Sequence, residues 1–213
     1  MNDKFFDLSR EKQDRMINGA LEVFAKNGFK HASTDDMVKA VDVSKGLWFH
    51  YFGSKLGLYT FVYGYSVKYM ILELASAVDE KEKNYFEIMK QIEYAKMKIS
   101  KSYPYMTRFL ERALEETDTE IMEQTAEDRR IYQEKVAGLG KNGEIPEIAD
   151  KAKREKIKKM AHYTIEGIVK DKAQSAEPET VYKEIKNYLD LLRSMVAMEK
   201  RMEEGLSIDS AAS

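Results

Sequence analysis

The sequence predicts an all-α protein, and three observations carry that reading. Apolar residues recur at intervals of three and four along most of the chain, and no window sustains the alternation of a strand. Capping residues stand where several of these patterns begin, and glycines stand where some of them stop. The three prolines, Pro104, Pro146 and Pro178, each fall near the start of a helical pattern, where a missing N–H costs nothing, and none interrupts one.

Ser9 caps a first helix that runs to about Asn27, with Met16, Ile17, Ala20, Leu21, Phe24 and Ala25 along one face. Gly28 followed by Phe29 reads as a Schellman stop with its hydrophobic contact. Residues 1–8 are expected to form a flexible arm, whose Asp3 and Asp7 suit an anionic partner poorly. Ser33 with Asp36 three residues on fits a capping box. The short helix that follows places Met37, Val38 and Val41 on one face, and Asp42 stands where the chain must turn. Ser44 caps a second short helix from Lys45 to Phe52, which Gly53 ends. Two short helices with so tight a joint form a helix-turn-helix, whose second helix enters the DNA major groove N-terminus first. Ser54 caps a fourth helix reaching about Val78. Further helices are expected over 81–102, 104–116, 118–138, 147–176 and 178–204, with 205–213 a flexible tail. The loop from Gly138 to Gly143 spells G-x-G-x-x-G, but a helix precedes it where a dinucleotide site needs a strand, so it reads as a turn and no cofactor is expected.

Composition narrows the function. With 43% apolar residues the chain can build a substantial core, and the absence of cysteine excludes disulfides and thiolate metal sites. No run approaches the roughly 18 apolar residues of a membrane span, and the N-terminus lacks the order of a signal peptide, so a cytoplasmic protein is expected. His31, His50 and His162 form no i, i+4 pair, and no nucleophile–base pairing stands out, which argues against an enzyme or a metal centre. The net charge is −2. Between residues 26 and 55 five lysines, Lys26, Lys30, Lys39, Lys45 and Lys55, face three aspartates, Asp35, Asp36 and Asp42. So weak a basic balance means that DNA binding must rest on placed contacts and a dimer rather than on a broad positive field.

The run Val43-Ser44-Lys45-Gly46-Leu47-Trp48-Phe49-His50-Tyr51-Phe52-Gly53-Ser54-Lys55 resembles the signature of the TetR family of bacterial transcriptional regulators. The upstream stretch from Ala20 to Phe29 is similar to that family's first helix, and the close likeness spans roughly residues 10–60. The resemblance implies a DNA-binding domain over residues 1–54 and a helical ligand-binding and dimerisation domain over 55–204. The implied function is a transcriptional regulator, most often a repressor, released from a palindromic double-stranded operator by a small molecule. Two alternatives stand beside it: a protein of this type with no small-molecule inducer, and a helical protein-interaction adaptor. Three departures from the family pattern matter. Phe49 stands where tyrosine is commonest, Trp48 replaces a small aliphatic residue, and Leu56-Gly57 replaces a polar, acidic pair.

The DNA-contacting set expected is Thr34, Ser44, Lys45, Gly46, Leu47, Phe49, His50, Tyr51 and Lys55. Lysine at position 45 can reach guanine O6 and N7, Gly46 lets the backbone approach the bases, and Leu47 can supply an apolar base contact. Thr34, Phe49, His50, Tyr51 and Lys55 match positions where family members touch phosphate. Thr34 and Lys55 also begin helices, whose free N–H groups favour phosphate. Trp48 and Phe52 read as core. A ligand cavity, implied by the resemblance, would draw on Tyr69, Tyr94, Met97, Phe109, Tyr132 and Tyr163, with His162 and Glu166 as polar anchors. Two adjacent apolar rows on the last helix, and a similar face on the one before, exceed what one packed neighbour requires. Ile165, Ile168, Ile185, Leu189, Leu192 and Val196 are therefore expected to form a four-helix homodimer interface, a thick core within one subunit being the alternative.

Overall fold

The computed structural model describes residues 3–41, 43–136, 138–172 and 176–211, among which the chain forms ten α-helices and no strand. Asp42, the expected turn residue, lies outside them. The helices are α1 (Arg10–His31), α2 (Thr34–Val41), α3 (Lys45–Phe52), α4 (Lys55–Ala77), α5 (Tyr85–Ser102), α6 (Met106–Leu114), α7 (Thr119–Gln124), α8 (Ala126–Lys135), α9 (Lys151–Lys172) and α10 (Pro178–Ala211). No helix among the described residues is long and apolar enough to cross a membrane.

The chain groups into two compact units, residues 1–74 with 98–138 and residues 75–97 with 139–213. This grouping differs from a linear division at residue 54, because α6 returns to pack along α1. Met16, Ile17, Ala20, Leu21 and Phe24 form the inward face of α1, as their spacing requires, and Phe24 meets Phe109 of α6 at 6.0 Å between ring centroids. Gly28 breaks α1 at φ 69°. A Cβ there would also stand 2.9 Å from the Arg112 Nε, so conformation and space both call for glycine. Arg112 donates across that break to the Lys26 carbonyl at 3.3 Å.

Several helices start or stop away from their expected positions, each for a local reason. The 118–138 stretch is two helices, interrupted at Thr125, whose hydroxyl donates to the Ile121 carbonyl and accepts from the Arg129 Nε. Helix α5 starts at Tyr85 because Asn84 caps it through the Phe86 N–H, while an isolated parallel bridge joins Asn84 to Glu144. Asp150 caps α9, accepting from the Ala152 N–H at 2.7 Å, which leaves Pro146 in the preceding turn. The backbone of α10 stays helical to Ala211, through most of the expected tail. Gly205 costs about 1 kcal/mol inside a helix, too little to end one already several turns long. The Gly138–Gly143 loop is a turn, with Gly140 at φ 79°.

The second unit is built on α9 against α10, with Tyr85 and Phe86 of α5 and the loop residues Ile145 and Ile148 completing the core. The six residues expected at a subunit interface all fall in this unit. Ile165, Ile168, Ile185, Leu189 and Val196 are 1–8% exposed, and Leu192 packs on the same cluster, so all six bind α9 to α10 within one protomer. The residues these helices turn outward are Met160, Tyr163 and Val169 of α9 and Tyr188, Leu191, Met195, Met198 and Met202 of α10.

Candidate nucleic-acid interface

Local capping builds the helix-turn-helix. The Ser33 hydroxyl accepts from the Asp35 and Asp36 N–H groups at 3.2 and 3.4 Å, which starts α2. The Ser44 hydroxyl accepts from the Leu47 N–H at 3.2 Å, which starts α3. Gly53, at φ 73°, donates to the Phe49 carbonyl at 2.8 Å and ends it. The chain then turns sharply into α4 through Ser54, whose hydroxyl accepts from the Gly57 N–H. A Cβ on Gly57 would lie 2.2 Å from the Phe52 carbonyl oxygen, so this departure from the family pattern permits the tight α3–α4 joint.

Helix α3 divides cleanly into two faces. Trp48, Tyr51 and Phe52 are buried, while Lys45, Gly46, Leu47, Phe49 and His50 are exposed beside the Ser44 cap. Leu47 and Phe49 are 37% and 38% exposed, so the outer face carries apolar as well as polar surface. Nothing lies within 4 Å of where a Gly46 Cβ would stand, so the helix can approach a partner closely there. The large Trp48 ring is fully buried against Phe52, and its indole N–H finds no acceptor among the described residues.

Three members of the expected DNA-contacting set stand apart from that exposed face. Thr34 opens α2 and is half-buried. Tyr51 turns its ring inward, 5.8 Å from Phe5 and edge-on. Lys55 is committed elsewhere: its ammonium donates to the Phe29 and Ala32 carbonyls at 2.9 and 3.3 Å and lies 4.4 Å from the Phe29 ring centre. It caps the end of α1, where a cation suits both the unpaired carbonyls and the helix dipole.

Two further residues, Phe5 beside the recognition helix and Tyr103 behind it, are weakly signalled in sequence. The N-terminal segment is no free arm: Asp3–Asp7 forms a 3-10 turn, and Phe5 is fully buried. Its ring lies 5.3 Å from Phe52 and 5.2 Å from Phe61, and so ties α3 to α4. The only hint in sequence is a pair of aromatics, Phe5 and Phe6, in a short polar stretch. Behind the interface, the Tyr103 hydroxyl donates to Asp14 Oδ1 at 2.5 Å. Tyr103 has one proton to give, so the Tyr65 hydroxyl, 2.6 Å away, donates to Tyr103. Burial, then the bond to Asp14, hold the Tyr103 hydroxyl firmly protonated. This chain of hydrogen bonds links α1, α4 and the α5–α6 corner.

The expected ligand-lining residues are divided between the two units. Phe109 is packed among Phe24, Tyr59 and Tyr63, Tyr69 stacks on Tyr65 and meets Tyr103 edge-on, and Tyr132 is buried on α8. In the second unit Met97 is buried, while Tyr94 is exposed beside Tyr182. Tyr163 is exposed on α9, as are His162 and Glu166, which pair with each other at 3.1 Å. None of the eight lines the open cleft of about 400 Å³ between α1 and the α5–α6 corner. Sequence reasoning missed two buried donors near Phe109. Among the described residues the Tyr63 hydroxyl and the Arg129 Nη2 find no hydrogen-bond partner, and the guanidinium lies 5.5 Å from the Tyr63 ring centre.

Residues 16–60 match the family model described as bacterial regulatory proteins, tetR family. That segment, helices α1 to α3 and the start of α4, is TetR-like. The fold resembles that of a TetR family transcriptional regulator from Chloroflexus aurantiacus J-10-FL, at 16% identity and a TM-score of 0.54, over 94% of this chain and 95% of that one. PfmR from Thermus thermophilus is similar at 17% identity and a TM-score of 0.51, over 84% of this chain and 97% of that one. The fatty acid degradation regulator FadR from Bacillus halodurans is similar at 17% identity and a TM-score of 0.51, over 83% of this chain and 96% of that one. No curated protein sequence matches the chain.

Proposed function

We propose that this chain is a TetR-family regulator, a cytoplasmic, homodimeric repressor that leaves a palindromic operator when a small molecule binds. Residues 1–54 read the DNA, and residues 55–204 dimerise and take the effector. The observation that carries the reading is the exposed face of α3, on which Lys45, Gly46, Leu47, Phe49 and His50 stand together at the end of a helix-turn-helix. Lys45 donates to a guanine edge, Leu47 meets a thymine methyl, and Ser44, Phe49 and His50 lie toward the backbone. Thr34, Tyr51 and Lys55 act mainly by holding this face in place.

Two features support the rest. The outward row of α10, Tyr188, Leu191, Met195, Met198 and Met202, offers a continuous apolar face to a second copy. The Tyr63 hydroxyl, whose pKa burial pushes up to about 12, stays a neutral donor beside the Arg129 guanidinium, and the two suit an effector that carries hydrogen-bond acceptors. Leaving such groups unpaired costs roughly 1–3 kcal/mol each, which an effector with matching acceptors recovers on binding. Release then requires that the effector prefer a dimer whose recognition helices are not about 34–36 Å apart, and it acts only through that difference in affinity.

Selection of bound fragments from genomic DNA tests the reading. An enriched inverted repeat is expected, and Lys45→Ala should weaken binding to it by about 10- to 100-fold, the loss of one good base contact. No enriched repeat would overturn it. A reading without an effector is favoured by the exposure of Tyr94, His162, Tyr163 and Glu166, four of the expected lining residues. A panel of small molecules that neither raises the Tm nor releases the operator would establish that reading.

A further inference from the structure

Of the five lysines in the DNA-facing segment, three are occupied. Lys55 caps α1, Lys26 pairs with Glu22 at 2.5 Å, and the Lys45 ammonium lies 2.7 Å from Asp35 Oδ1. The last contact joins the first turn of α2 to the first turn of α3, across the turn of the motif itself. Both side chains are more than half exposed, at 52% and 61%, so the pair lies on the reading surface rather than under it. Asp35 accordingly sits in the N-terminal turn of a helix that, by its dipole and free N–H groups, would otherwise attract phosphate. The Lys45 partnership holds the Asp35 carboxyl below the usual carboxylate range, and Lys39 adds to this more weakly.

We infer that Asp35 is a specificity-determining residue that acts through Lys45, neutralising it on ordinary DNA and releasing it only to a matching base edge. This rests on the proposed reading of guanine by Lys45. The physical argument is one of competition. A phosphate offers the ammonium a charge partner no better placed than Asp35, and the Asp35 carboxylate itself repels that phosphate. A guanine presents O6 and N7 together in the groove, and the rest of the α3 face must already be seated for Lys45 to reach them. Exchange from Asp35 to guanine is therefore tied to correct docking, whereas exchange to a random phosphate is not. An unpaired lysine at this position would strengthen binding everywhere and discriminate less, because phosphate contacts carry no sequence information.

The test uses the full-length dimer, an operator duplex recovered by selection and a scrambled duplex of the same composition. Affinities are measured over a range of salt for the wild type, Asp35→Asn, Lys45→Ala and the double variant. Asp36→Asn, which removes the same charge from the next position of α2 without touching the Lys45 pair, controls for net charge. Asp35→Asn should bind the scrambled duplex several-fold more tightly, with a log–log salt slope steeper by about 0.9, the release of one more counterion. Operator affinity should change less, so the ratio of the two falls. In the Lys45→Ala background the Asp35→Asn effect should vanish. If Asp35→Asn melts early by circular dichroism, Asp35→Ser, which retains a helix-start residue, takes its place. Equal effects of Asp35→Asn and Asp36→Asn, or an effect that persists without Lys45, would overturn the inference while leaving the proposed function standing. A wild-type protein that selects no operator would instead remove the functional reading beneath it.

Discussion

Helices α3 and α10 both leave large apolar side chains in solvent, and they do so in opposite patterns. On α3 the exposed pair Leu47 and Phe49 is flanked by Lys45 and His50 and limited to two turns. On α10 the exposed row runs from Tyr188 to Met202, 45–61% exposed, and is rich in flexible methionine. A short apolar patch set among charges suits a polar groove with one or two methyl groups to meet. A long methionine row suits another apolar surface, since methionine fills irregular gaps. The same property, exposed hydrophobicity, therefore points to different partners according to its length and to what interrupts it.

That contrast can be broken or sharpened by substitution. The largest effect should come from the inner row of α10: Ile185→Ala, at a site 2% exposed, should cost the protomer roughly 2–5 kcal/mol in urea unfolding. A variant that keeps its stability and only dissociates would show that the inner row is the interface after all. On the outer row, Leu191→Glu with Met195→Glu removes two side chains whose burial is worth roughly 1.5–3 kcal/mol each. Sedimentation should then show a dimer weakened by about 100-fold or more, with helicity intact. The smallest effect belongs to the neighbourhood of α3. Lys55→Met, which keeps the stem over Phe29 but loses the ammonium, should cost about 1 kcal/mol of stability, the value of a lost cap. Its salt slope for DNA binding should match that of the wild type. A slope shallower by about 0.9 would return Lys55 to the phosphate-contacting set.

What can be read in the sequence follows from the range of the interactions involved. The caps at Ser33 and Ser44 and the stops at Gly28 and Gly53 are legible because each depends on groups within four residues of itself. The inward placement of Trp48 and Phe52 follows from helical spacing alone. The contacts of Lys55 are not legible because its partners, Phe29 and Ala32, are distant in sequence, and a lysine opening a helix looks the same whether it meets phosphate or carbonyl. Phe5 passes for part of a free arm for the same reason, since only the folded chain brings Phe52 and Phe61 to it.

By itself the sequence determined an all-helical chain, the order of its helices, and a helix-turn-helix whose second member opens with Lys45 and Gly46. Local hydrogen bonding and the 3.6-residue period are enough for that. Only the tertiary structure decided which of two apolar rows on α10 is core and which is surface, and that Asp35 meets Lys45. A periodic pattern states that a helix has a buried side but not which neighbour covers it, and an ion pair between two helices exists only once the turn between them is made.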